Sequence, residues 1–272
     1  MQLQVVLPNE SVGMGRRTLQ EITRAADALG YHTAWLPDHV LPPGPYGMTY
    51  GGVYEPLVTL GHLAGTTTNI RLGTSVLILP LRDPFLVAKQ VATIDRLSEG
   101  RVTLGVGIGW EESEFTALRS DFGTRAARTD EAVALLRHLF AAGAGPFEGT
   151  FYGFEDGFFE PRPDHPVPIM VGGTSDGALR RVARLADSWQ GFGIDAPKFA
   201  ERVAFLKQQT DRPIAVGTRT AWDTSLDDLI SAAVGFAAAG AEHLAIHFGE
   251  PEGYVERMSA AMHGITGALK KS

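Results

Sequence analysis

The chain has 272 residues, 44% of them hydrophobic and 20% charged, with a formal net charge of −7. That suits a single α/β domain with a full core, near the size of one (β/α)8 barrel, and disfavours nucleic acid or an anionic membrane as partner. Cysteine is absent, which excludes disulfides, thiolate metal sites and a cysteine nucleophile and fits a cytoplasmic location.

The first segment, MQLQVVLPNES, lacks a basic stretch followed by a long apolar one, so it does not read as a signal peptide. No run approaches the roughly 20 apolar residues of a membrane span. Residues 3–8 read as the first strand, with Asn9 just past its end. A turn at Gly13 to Gly15 leads into a helical stripe of Leu19, Ile22, Ala25, Ala26 and Leu29, closed by Gly30. Strand two, 33–37, ends at Asp38-His39, and a loop rich in Pro and Gly over 42–52 is long enough to carry function. A second helix covers about 55–64. Residues 71–78 have no charge after Arg71 and read as a strand buried on both faces. Asp83 and Pro84 then supply an N-cap and a first helical residue, and apolar positions recur on one face to Leu97, before Gly100. Residues 102–109 form the fourth strand, completing a βαβ unit whose strands should be parallel.

Beyond it, Trp110 to Phe115 open a connection to a helix over about 128–142. Residues 143–167 break the rhythm with six aromatics and four prolines; we read them as an excursion with a short hairpin outside the barrel, too small for its own core. The alternation then resumes: strands near 169–171, 188–192, 214–218 and 243–248, each followed by a helical stripe. Eight strand–helix alternations in this length favour a closed TIM barrel, with an insertion after strand four and one domain over 1–272, above the doubly wound sheet that is its structural alternative.

In such barrels the active site lies at the C-terminal strand ends. Polar residues gather there: Asn9, Asp38, His39, Ser75, Glu111, Thr174, Arg219 and His247. His39 can take or give a proton near neutral pH, with Asp38 setting its charge state; equally, Asp38 can cap the loop and His39 bond backbone. Gly172-Gly173-Thr174-Ser175 lets backbone approach a ligand and offers free N–H groups to a phosphate, with Arg180 and Arg181 close by in sequence; a tight turn with Ser175 as N-cap needs the same residues. Gly105-x-Gly107-x-Gly109 lacks dinucleotide-loop spacing and makes room inside the barrel, either for a flat ring or for a bulky neighbour. The remaining histidines show no metal-ligand spacing, and no G-x-S-x-G is present.

Taken together, Trp35-Leu36-Pro37-Asp38-His39, the run 70–77 (IRLGTSVL), Leu97-Ser98-Glu99-Gly100-Arg101, Gly105-Val106-Gly107-Ile108-Gly109-Trp110 with Glu114-Phe115, and Val171-Gly172-Gly173 resemble the luciferase-like monooxygenase family, in the right order over nearly the whole chain. The Pro-Asp-His at strand two and the Gly-x-Gly-Trp after strand four resemble the branch that uses the deazaflavin coenzyme F420. The resemblance implies an insertion after strand four, a flavin-like ring in the barrel mouth, and a bulge with a non-proline cis peptide at Ser75-Val76 beneath it. It implies phosphate contacts at Gly172, Gly173 and Thr174, ring contacts from Asp38, Gly107 and Gly109, Trp110 as a pocket wall, and His39 and Asp38 as the catalytic pair. Some relatives carry a glutamate directly after the Gly-x-Gly motif; here Trp110 stands there and Glu111 follows.

The expected activity is therefore F420-dependent hydride transfer to or from a small organic substrate by a cytoplasmic homodimer, with no metal. An FMN-dependent monooxygenase on the same fold is the nearest alternative, and a non-catalytic flavin- or ligand-binding barrel the alternative of a different class.

Overall fold

Alternating apolar segments and amphipathic stripes fold as the period predicts: β1 (Gln2–Val6), α1 (Arg16–Ala28), β2 (Thr33–Leu36), α2 (Gly47–Tyr50), α3 (Pro56–Ala64), β3 (Arg71–Thr74), β4 (Leu77–Ile78), α4 (Pro84–Leu97), β5 (Val102–Gly107), α5 (Glu112–Ala117), α6 (Arg125–Ala142), β6 (Ile169–Gly172), α7 (Asp176–Leu185), β7 (Ser188–Phe192), α8 (Ala196–Gln209), β8 (Ala215–Ala221), α9 (Leu226–Ala238), β9 (His243–His247) and α10 (Tyr254–Leu269). These come from a computed structural model that describes residues 1–11 and 13–271; residues 12 and 272 of the expected 1–272 domain lie outside the described residues. Every strand pairing is parallel, and β1 pairs with both β2 and β9, so the sheet closes on itself. The eight-stranded (β/α)8 barrel expected from the sequence is the architecture found.

Two expectations need correction. The run 71–78 is not one strand. It breaks at Ser75-Val76, whose peptide bond is cis, as the resemblance implies, and β3 and β4 are the two halves of the third barrel strand, both paired to β5. The fourth connection also holds more helix than expected: α6 starts at Arg125 rather than 128, and α5 precedes it.

The 143–167 excursion is a hairpin, with antiparallel bridges Ala144 to Phe158 and Phe147 to Phe154. The Glu131 carboxylate of α6 accepts hydrogen bonds from the backbone amides of Thr150, Phe151 and Tyr152 (2.8, 2.8 and 2.6 Å), which ties the hairpin to the barrel wall.

Inside the barrel, Val6, Trp35, Met170 and Ala245 pack together, and Val76 rests on them. A Cβ on Gly73 would fall 2.5 Å from the Trp35 ring, so glycine there admits the indole. Trp35 donates its Nε1–H to Gln4 Oε1 (2.8 Å), the partner a buried indole requires. At the N-terminal end, Arg101 donates to the carbonyls of Ala64, Thr67, Ile70 and Ser98 and to Thr67 Oγ1. Its guanidinium closes loop ends that would otherwise leave backbone acceptors unmet, so the Ser98-Glu99-Gly100-Arg101 motif serves the fold, far from the strand ends where chemistry sits.

Candidate active site

The C-terminal strand ends enclose a cavity of about 510 Å³. Its floor is the cis Ser75-Val76 unit. The Val76 side chain lies between two glycines: a Cβ on Gly107 would meet Val76 Cγ2 at 2.5 Å, and one on Gly172 would meet Val76 Cγ1 at 2.7 Å. Of the two roles open for the strand-four glycines, Gly107 makes room for a bulky neighbour, the residue that forms the floor. Ser75 Oγ donates to Gln190 Oε1 (2.5 Å), and the buried Gln190 Nε2 has no protein partner. A floor of apolar surface edged by one unmet amide suits a flat ring with carbonyl groups on its rim.

His39 stands at the wall formed by the loop after β2. Its ring stacks on Tyr50 (centroids 4.5 Å apart) and meets the edge of Trp110 at 5.9 Å. The carboxylate that serves it is Glu114, from α5: His39 Nδ1 donates to Glu114 Oε2 at 2.8 Å. Glu114 Oε1 also accepts from the amides of Val40 (2.8 Å) and Leu41 (2.9 Å), and the side chain is buried. An ionised carboxylate only accepts, so Nδ1 carries a hydrogen and Nε2 is left for the cavity.

Asp38, the expected partner of His39, lines the same cavity but faces elsewhere. Its carboxylate takes a fork from Arg82 (Nη2 to Oδ1 2.7 Å, Nε to Oδ2 3.3 Å) and the Ile78 amide at 2.9 Å. Arg82 reaches on to Glu55 (2.7 Å). This buried pair clamps the end of β2 to the segment after β4, and so fixes both the backbone at His39 and the floor.

Of the other expected site residues, Ser75, Val76, Gly107, Gly109, Trp110, Gly172 and Gly173 all line the cavity, whereas Thr174 is not part of its wall. Ser175 caps α7 through the Ala178 amide, and Arg180 and Arg181 turn to Asp176 and Asp130. The charge they were expected to add thus goes to α7 itself for Arg180 and to α6 for Arg181. Glu111 is half-buried and caps α5 through Ser113.

Three residues complete the site beyond the expected set. Glu114 appeared in the sequence only as part of a motif; its contact with His39 spans 75 positions and leaves no local trace. Gln190 sits in mid-strand, where its polarity within β7 was the available signal. Glu10 follows β1 and faces the cavity beside Arg219 and His247, both of which the strand-end rule had picked out. Burial raises the Glu10 carboxyl above its usual range, while Arg219 and His39 pull it down. Burial, with Arg219 and Arg257 nearby, lowers His247 to about 4.

The family model for luciferase-like monooxygenases matches residues 1–262. An uncharacterized protein of Mycobacterium tuberculosis is 34% identical over 200 residues, 69% of each chain. An F420-dependent glucose-6-phosphate dehydrogenase of Beutenbergia cavernae is 36% identical over 176 residues, 64% of this chain and 52% of that one. In fold, the chain resembles an F420-dependent secondary alcohol dehydrogenase solved with an F420-acetone adduct, with a TM-score of 0.81 and 16% identity over 97% of this chain and 98% of that one.

Proposed function

Because the chain belongs to the luciferase-like monooxygenase family and is an oxidoreductase, we propose that it moves a hydride between coenzyme F420 and a small organic substrate. The observation that carries this reading is the His39–Glu114 pair, which holds Nδ1 and leaves Nε2 free beside an apolar floor suited to a flat ring.

The Ser75-Val76 floor would hold a deazaflavin, which would supply the carbon that accepts or gives the hydride. Val76 would support the ring, Gln190 Nε2 would be placed to donate to its rim, and Gly172 and Gly173 would let the backbone approach it. Trp110 and Tyr50 flank His39 and limit water beside it. His39 Nε2 handles the proton: it accepts from the hydroxyl of an alcohol substrate, or donates to the oxygen of a carbonyl, while Glu114 stabilises the charged imidazolium. The F420 named in the Beutenbergia relative supports the deazaflavin over FMN.

The test is a fluorescence titration of the purified protein with oxidised F420 and with FMN, followed by oxygen uptake. Tight F420 binding, weak FMN binding and no oxygen uptake are expected. Preference for FMN with oxygen consumed overturns the reading in favour of a monooxygenase, and binding of neither leaves a ligand-binding barrel.

A further inference from the structure

The polar groups at the ends of β8, β9 and β1 have no part in the proton transfer described above, and they do not satisfy one another. Arg219 reaches across the barrel mouth from β8 to the opposite strand, where its Nη1 donates to the Ser75 carbonyl at a long 3.4 Å. Its guanidinium lies 5.5 Å from the centre of the Phe192 ring. Among the described residues it makes no ion pair. Burial lowers its pKa, with Glu10 acting in the opposite sense.

His247 brings a donor that is unmet. Its Nδ1 accepts from the Gly249 amide at 3.2 Å, so the neutral ring carries its hydrogen on Nε2. That Nε2 is buried without a hydrogen-bond partner, and Glu10 Oε1, at 3.7 Å, is beyond reach. Both side chains line the cavity. The wall thus presents a guanidinium and an imidazole N–H against a single carboxyl group, that of Glu10. Burial already pushes that carboxyl toward its protonated form, and an arriving anion pushes the same way. Exposed Phe192 and Trp110 stand at the rim as apolar surfaces.

We propose that Arg219 and His247 Nε2 anchor an anionic oxygen group of the substrate, a carboxylate or sulfonate, whose apolar body lies between Phe192 and Trp110. A guanidinium fork matches such a group bidentately, and a half-buried cation without an ion partner gains from one. The inference rests on the proposed hydride transfer for its catalytic meaning, because it names that reaction's substrate class.

The probe is benzoate, compared with benzamide of the same shape without the charge. Each is titrated by tryptophan fluorescence or NMR against the protein saturated with whichever of F420 and FMN it binds, and against the chain alone. Benzoate is expected to bind at least tenfold more tightly than benzamide. Arg219→Gln should remove that preference and Arg219→Lys should keep part of it. Equal affinities for the two probes, detectable binding of neither, or a benzoate affinity unchanged in R219Q overturn the proposal. The wild-type comparison decides even where R219Q fails to fold. R219Q that loses cofactor affinity yet keeps its benzoate preference assigns Arg219 to the cofactor, which also overturns it. Failure of the wild-type protein to bind either cofactor defeats the hydride-transfer reading alone, since the probe titration on the chain alone is still read.

Discussion

Replacing Glu114 by glutamine tests the arrangement on which the chemistry depends. Glu114 accepts three hydrogen bonds within 2.9 Å, from His39 Nδ1 and the amides of Val40 and Leu41. Bonds to a charged acceptor contribute about 1.5–3 kcal/mol each, and neutral ones about 0.5–1.5. In Glu114→Gln the remaining oxygen can still serve the two amides, more weakly, but the new NH2 group faces the Nδ1–H. Either that bond is lost or the imidazole changes tautomer. The expected cost is about 3 kcal/mol, which lowers Tm by roughly 6–12 °C in a domain of this size. The tautomer change matters more for activity. It places the hydrogen on Nε2, so His39 can no longer take a proton from a hydroxyl, and substrate oxidation should slow by about 10²–10⁴-fold. Thermal unfolding and steady-state rates against pH measure both effects. A Tm within about 1 °C of wild type together with an unchanged pH profile would refute the claim that Glu114 orients His39.

Further predictions follow from the floor, the clamp and the buried histidines. Gly172→Ala places a methyl 2.7 Å from Val76 Cγ1, so cofactor affinity should fall about tenfold or more; adding Val76→Ala should recover it, and a titration of the double variant without recovery counts against the floor assignment. Asp38→Asn breaks a buried ion pair with Arg82 and should cost about 3–5 kcal/mol in urea unfolding; full stability with a lost kcat would make Asp38 a catalytic group instead. His243 and His247 are both lowered to about 4, each mainly by burial, from an ordinary value of 6.5. Between those values the unfolded chain binds more protons, so stability should rise as pH goes from about 4 to 6.5 and level off above. Each histidine contributes at most about 3 kcal/mol of that rise. Urea midpoints that are flat across this window would contradict the burial of both rings.

The barrel was legible because its signals are local. Strand period, Asp83-Pro84 at one helix start and Gly100 past its end lie within a few residues of what they determine. The strand-end rule likewise found His39, Arg219 and His247, since closure of the sheet brings all such ends to one mouth. What escaped the sequence depends on distant partners. Asp38 neighbours His39 in the chain yet answers to Arg82, 44 positions on, while His39 answers to Glu114. Adjacent residues at a strand end point in different directions, so adjacency was a poor guide to pairing. The break at Ser75-Val76 carries no proline or glycine, and nothing in its composition separates it from the strand around it; resemblance alone announced it.

The Glu114 contact also bears on how such a site can be re-engineered. Trp110, which walls the cavity, and Glu114, which steers His39, ride on the same short connection after β5. A loop exchange meant only to reshape the pocket would therefore carry off the partner of the proton-handling group. Conversely, a transplanted loop that lacks a carboxylate at this place would strip the amides of Val40 and Leu41 of their acceptor and unmoor the neighbouring loop. The heritable unit of this site is the pair of loops, joined by one carboxylate, rather than either loop by itself.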